Sequence, residues 1–179
     1  MNKSRHNVPA GVGRNTAREH LDSYTTREEK AEAGNLLCKR CEATHHDKRW
    51  YAPGTSAAKV LPAELKETLC PGCYRVERGI SDGVVVLEGA ATPYEMREDI
   101  MTRIWHIEIE CWKENPSARI VDCIERDGNV EIKTTTVWLA ERIGKELKSA
   151  FKGTLEVKPS PEKESVFVRW AVPKAIEVK

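Results

Sequence analysis

Two cysteine pairs, Cys38-Lys39-Arg40-Cys41 and Cys70-Pro71-Gly72-Cys73, constrain this chain more than any other feature. Two residues between thiols let one tight turn bring both sulfurs to a single ion, while the amides of the turn hydrogen-bond the thiolates. Two such turns make a tetrahedral four-sulfur site with metal–sulfur distances near 2.3 Å. The expected ligands are Cys38, Cys41, Cys70 and Cys73, and the expected ion is one structural Zn2+. The 28 residues between Cys41 and Cys70 exceed the usual spacer of roughly 15–20, so a hairpin or loop must project from the site. Gly72 is expected to provide a positive φ just before the last ligand. His45 and His46 follow Cys41 closely and could substitute as ligands, but they are expected to be surface or loop residues. A redox dithiol needs one pair only, at the junction of a strand and a helix, whereas both pairs here occupy loop-like sequence. A closed four-thiolate site keeps no open position for a substrate, which argues against catalytic zinc.

The segment carrying these pairs, residues 36–78, has few apolar side chains and should need its ion to fold. Residues 1–35 read as a flexible basic arm rich in Gly, Asn, Ser, Thr and Arg, with a short helix over TTREEKAEA that ends at Gly34. No stretch approaches the ~18 uncharged apolar residues of a membrane span, and the first residues lack the apolar core of a secretory signal. A cytoplasmic location without membrane contact is expected, and in that reducing compartment paired cysteines point to metal rather than to disulfides.

Residues 79–179 change texture. VVVLEG (84–89) reads as a buried strand, and Thr92-Pro93 opens a helix whose Met96, Ile100, Met101, Ile104 and Ile107 share a face and which stops before Pro116. Asp127-Gly128 between ARIVDCIER and NVEIKTTT predicts a type I′ hairpin. VWLAERIGKELKSAFKG is an amphipathic helix, with Leu139, Ile143 and Leu147 on one stripe and Gly153 past its end. TLEVK and SVFVRWAV form a second hairpin. The expected class is α+β: the arm, a four-cysteine zinc ribbon, then an α/β sandwich of ferredoxin-like type, β-α-β-β-α-β plus an extra strand. SVFVRWAV, with Phe167, Arg169 and Ala171 on one side, offers an interface if it lies at an edge.

Nucleophile elbows, phosphate loops, zinc-protease helices and dinucleotide turns are absent from the sequence. Cys111 and Cys123 read as small buried hydrophobes, and Glu108 and Glu110 as parts of a solvated face. No catalytic residue, small-molecule substrate or enzymatic activity is expected.

The chain has 29 Lys plus Arg and 28 Asp plus Glu, yet the charges are not evenly spread. Residues 1–78 hold 14 basic and 10 acidic side chains, a net of +4, and residues 79–179 hold 15 and 18, a net of −3. Lys39, Arg40, His45, His46, Lys48 and Arg49 lie on or beside the first turn, with Trp50 and Tyr51, and Arg75 and Arg78 follow the second. Cations interleaved with aromatics can pair with phosphates and stack on bases. Trp50 can equally supply the small core beside the ion.

The passages LCKRCEATHHDKRWY, LCPGCYRVERGISDGVVVLEG and VEIKTTTVWLAERIGKELKSAFKGTLEV resemble small bacterial and archaeal zinc-ribbon proteins related to the N-terminal half of nonsense-mediated decay protein three, the export adaptor of large ribosomal subunits. The resemblance spans roughly residues 36–172. It implies a non-enzymatic protein that docks on ribosomal RNA or the large ribosomal subunit, with contact to ribosomal protein, in assembly, quality control or dormancy. The further CxxC pairs of that family and its later domains have no counterpart here, so one zinc and no nuclear export are implied. The alternative expectation is a zinc-stabilised protein–protein interaction module without direct RNA contact.

Overall fold

The computed structural model describes residues 35–55, 65–89, 94–162 and 164–173. The arm, its helix and Thr92-Pro93 lie outside the described residues.

Two mixed sheets and three helices are present among the described residues. The first sheet is built from β1 (Leu36–Cys38), β2 (Thr44–His46), β3 (Arg49–Tyr51) and β4 (Lys66–Thr68) in the order β3-β2-β1-β4. β2 and β3 are the projecting hairpin that the long spacer requires. Its turn residues Asp47 and Lys48 both adopt positive φ, 49° and 63°, the backbone of a type I′ turn. Helix α1 (Pro71–Glu77) follows β4 at once, so the second cysteine pair opens a helix rather than lying in a loop.

The second sheet holds β5 (Gly83–Glu88), β6 (Ile120–Arg126), β7 (Asn129–Thr134), β8 (Thr154–Pro159) and β9 (Val166–Ala171). Helices α2 (Tyr94–Glu114) and α3 (Val137–Phe151) connect β5 to β6 and β7 to β8. Asp127 and Gly128, with φ 51° and 76°, form the expected turn between β6 and β7. Thr136 caps α3, its hydroxyl accepting from the Leu139 amide at 3.3 Å.

The strand order is β6-β7-β5-β9-β8. A ferredoxin-like sheet with an added strand would seat β8 beside β5. Instead β9 inserts between them, parallel to β5 and antiparallel to β8. SVFVRWAV is therefore not an edge strand. Its composition explains the position: Val166, Val168 and Trp170 are buried against the helices, and a central strand has both rows of backbone hydrogen bonds satisfied. β8, with Glu156, Lys158 and Pro159, carries the charges and the proline that suit an edge.

The helices and one face of this sheet enclose the core. Val85 and Leu87 of β5, Ile132 of β7, Val168 and Trp170 of β9, Ile100, Ile104 and Ile107 of α2, and Leu139, Ile143 and Leu147 of α3 are all fully buried. Val84 and Val86 are only half-buried, because the opposite face of β5 carries no helix among the described residues. Cys111 is buried as expected, but Cys123 is exposed on β6, where the bulge between Ile120 and Asp122 disturbs the pairing.

Candidate metal centre

Strand β1 ends on Cys38. The chain turns back at once: the Cys38 amide donates to the Ala43 carbonyl at 2.7 Å, and the Glu42 amide to the Cys38 carbonyl at 2.9 Å. Glu42, at φ 60°, takes the left-handed conformation that closes this knuckle. The Lys39 amide donates to Thr68 at 2.9 Å and ties the knuckle to β4. Two residues further on, Cys70 caps α1, with its sulfur accepting from the Cys73 amide at 3.4 Å. The Cys70 amide in turn donates to the Cys38 sulfur at 3.2 Å. Backbone donors thus already point at the sulfurs.

The four sulfurs of Cys38, Cys41, Cys70 and Cys73 lie within 4.8 Å of one another, and those of Cys41 and Cys70 are 3.6 Å apart. A tetrahedral ion with bonds near 2.3 Å needs sulfur–sulfur edges of about 3.8 Å. The donor set fits such an ion. Cys38, Cys70 and Cys73 are buried, and Cys41 is partly exposed. Among bare thiols the cluster divides its protons unevenly. Hydrogen bonds from Cys70 and Cys73 hold the Cys41 thiol far below the usual range. The same contact with Cys41 pushes Cys70 and Cys73 upward, with burial adding to the shift. A divalent cation would replace those protons and relieve the conflict.

Gly72 does not carry the positive φ expected of it. It sits in the first turn of α1, and its lack of a side chain serves an approach between segments. A Cβ there would meet the Pro116 carbonyl oxygen at 2.3 Å and the Ser117 Cα at 3.0 Å. The metal knuckle therefore rests on the 115–119 loop before β6. Thr135, fully buried, pins that loop: its hydroxyl accepts from the Arg119 amide at 2.8 Å and donates to the Ser117 carbonyl at 2.5 Å. Glu108 pins it from the other side, accepting from the Ile120 amide at 2.9 Å and from Arg119 Nε at 3.3 Å. Glu108 is thus an anchor and not part of a solvated face, a role that needs the fold to be seen.

The basic residues separate into two groups. Lys39, Arg40, Lys48 and Arg49 are exposed on the knuckle and on the hairpin tip. None of the four is paired with an acid among the described residues. Arg75 differs: only 16% exposed, it forms an ion pair with Asp82 at the start of β5 and fastens α1 to the second sheet. Arg78 lies over the Tyr74 ring at 5.7 Å. His45 and His46 are outside the sulfur cluster. His46 stacks on Tyr51, with ring centroids 4.2 Å apart and planes at 16°, and His45 leans on Trp50 at 5.3 Å. Trp50 packs against the cysteine cluster.

Fold and site together define an α+β chain with a four-cysteine cluster able to hold a metal ion. Comparison with protein-family models, with curated proteins and with solved structures returns no match. Among the described residues no helix is long and apolar enough to cross a membrane.

Proposed function

We propose that the protein is a non-enzymatic zinc protein that binds ribosomal RNA through its metal-tied knuckle and hairpin, on the large ribosomal subunit, in the cytoplasm. Zinc is the ion that four thiolates in a closed tetrahedral set favour. The observation that carries the RNA reading is the contrast in pairing. Arg75, Arg97, Arg103, Arg119, Arg142 and Arg169 all have carboxylate partners, whereas Lys39, Arg40, Lys48 and Arg49 stand exposed on the knuckle and the hairpin tip with no acidic partner among the described residues. Such cations can meet phosphates without first breaking an ion pair. His46 stacked on Tyr51 adds a flat aromatic surface beside them.

Co-sedimentation of the purified zinc-loaded protein with ribosomal subunits tests this reading. Binding at low salt that weakens steeply as salt rises is expected, and reversal of Arg40, Lys48 and Arg49 to Glu should abolish it. Absence of binding at low salt overturns the reading. The second reading, a protein-docking module, draws on the exposed Trp105 and Ile109 of α2; it gains if partner capture survives the triple reversal.

A further inference from the structure

A cavity of about 310 Å³ opens between the first knuckle and α2, lined by Cys41, Glu108, Ile109, Trp112 and Arg119. Ile109, 46% exposed, and Trp112 give its wall an apolar part, and the Arg119 guanidinium lies over the Trp112 ring at 5.7 Å. Trp112 Nε1 is enclosed and has no acceptor among the described residues. A buried donor left unpaired is costly. Arg119 still offers guanidinium N–H groups, since among the described residues only its Nε is taken, by Glu108.

Charge separates the classes of ligand. Arg119 is already balanced by Glu108, so the floor does not suit a free carboxylate or phosphate. The nearest exposed cations in sequence are Lys39 and Arg40, which directly precede Cys41 in the knuckle that helps line the cavity. A ligand with a flat, neutral, acceptor-bearing head and an anionic tail matches that arrangement. We infer that the cavity receives one unstacked base of the bound RNA, laid against Ile109 and Trp112. Its acceptor atoms face the Arg119 guanidinium, its ring lies beside the Trp112 indole, and its flanking phosphates face Lys39 and Arg40. The inference rests on the RNA reading above and names the element read: a splayed-out nucleotide rather than a duplex. Guanine, with O6 and N7 as neighbouring acceptors, suits two donors best.

The indole N–H resonances of the full-length, zinc-loaded protein test it, with Trp112→Phe assigning the Trp112 signal. Addition of 5′-GMP should move that signal saturably, UMP less, and ribose 5-phosphate not at all. Ile109→Glu, at an exposed position that leaves the core intact, should weaken the GMP effect about tenfold by putting a charge that the base must desolvate where the apolar surface lay. An unmoved Trp112 signal, or an equal response to ribose 5-phosphate, overturns the base pocket, as does an Ile109→Glu protein that binds GMP unchanged. Capture of an aromatic peptide in place of nucleotides overturns it in favour of a protein partner. Ribosomal RNA binding measured on the same Ile109→Glu protein keeps the two proposals apart. RNA that binds while the Trp112 signal ignores GMP sinks the pocket alone, and RNA that fails to bind the wild-type protein at low salt sinks the RNA reading.

Discussion

The α carbon of Gly72 approaches the Pro116 carbonyl so closely that any β carbon would lie 2.3 Å from the oxygen. This single gap joins the metal knuckle to the loop that starts β6, and the partner atoms are backbone, which cannot swing aside.

Gly72→Ala is therefore expected to destabilise the metal-loaded protein by about 1–3 kcal/mol, the usual cost of overpacking, and to speed loss of metal to a chelator. Urea unfolding and a chelator competition would measure both. A variant as stable as wild type would mean that the knuckle and the loop do not depend on each other.

Metal should be stoichiometric. Elemental analysis is expected to find about one zinc per chain, and Cys70→Ser with Cys73→Ser should lose it, because the cluster then keeps two of its four sulfurs. Since among the described residues the buried apolar cluster there is just Cys38, Ala43, Cys70 and Cys73, with Cys41, Trp50 and Leu69 packed against it, the knuckle should lose its protected amides while β5, β7 and β9 keep theirs in hydrogen exchange. A folded knuckle in the metal-free variant would contradict this.

Thr135→Val removes the hydroxyl that takes the Arg119 amide and gives to the Ser117 carbonyl. With both groups left unpaired in a fully buried place, a loss of about 1–3 kcal/mol is expected, measured by thermal or urea unfolding. A neutral result would show that water replaces the hydroxyl.

Asp82 gives a pH signature. Burial, outweighing the nearby Arg75, raises its carboxyl above the ordinary 3.8, so between 3.8 and that raised value the folded state holds more proton than the unfolded one. Stability contributed by the protonated form is full below 3.8 and is lost as pH rises through the window. The stability of wild type relative to Asp82→Asn should therefore decline across that window and level off above it, which urea titrations of both proteins would follow. A wild-type advantage growing with pH would reverse the sign.

Features set by neighbours in sequence could be read in advance. Asp127-Gly128 dictates its turn because two positive φ values suffice, and Ile100, Ile104 and Ile107 align because helical spacing alone puts them on one face. The four cysteines converge as their spacing demands. What escaped the reading depends on distant segments. Gly72 looked like a turn residue, and only the 115–119 loop reveals why it has no side chain. Arg75 looked like one cation among several until Asp82, seven positions on, proved to be its partner. Glu108 and Trp112 gave no signal, because their roles arise only when Arg119 returns beside α2. The central seat of β9 was equally hidden, since an alternating strand reads the same at an edge or in the middle.

That central seat governs the order of assembly. Gly83 pairs with Val166, and Glu88 with Ala171, so one flank of β5 stays bare until almost the whole second half of the chain has been made. Local hairpins such as β6–β7 can close early, but the parallel ladder must wait for a distant segment, a slow step of high contact order. Until then β5 offers Val84, Val85, Val86 and Leu87 to any other strand within reach. The sheet is thus most vulnerable to mispairing and aggregation while it is being built, and it is sealed by β9 wedging between β5 and β8.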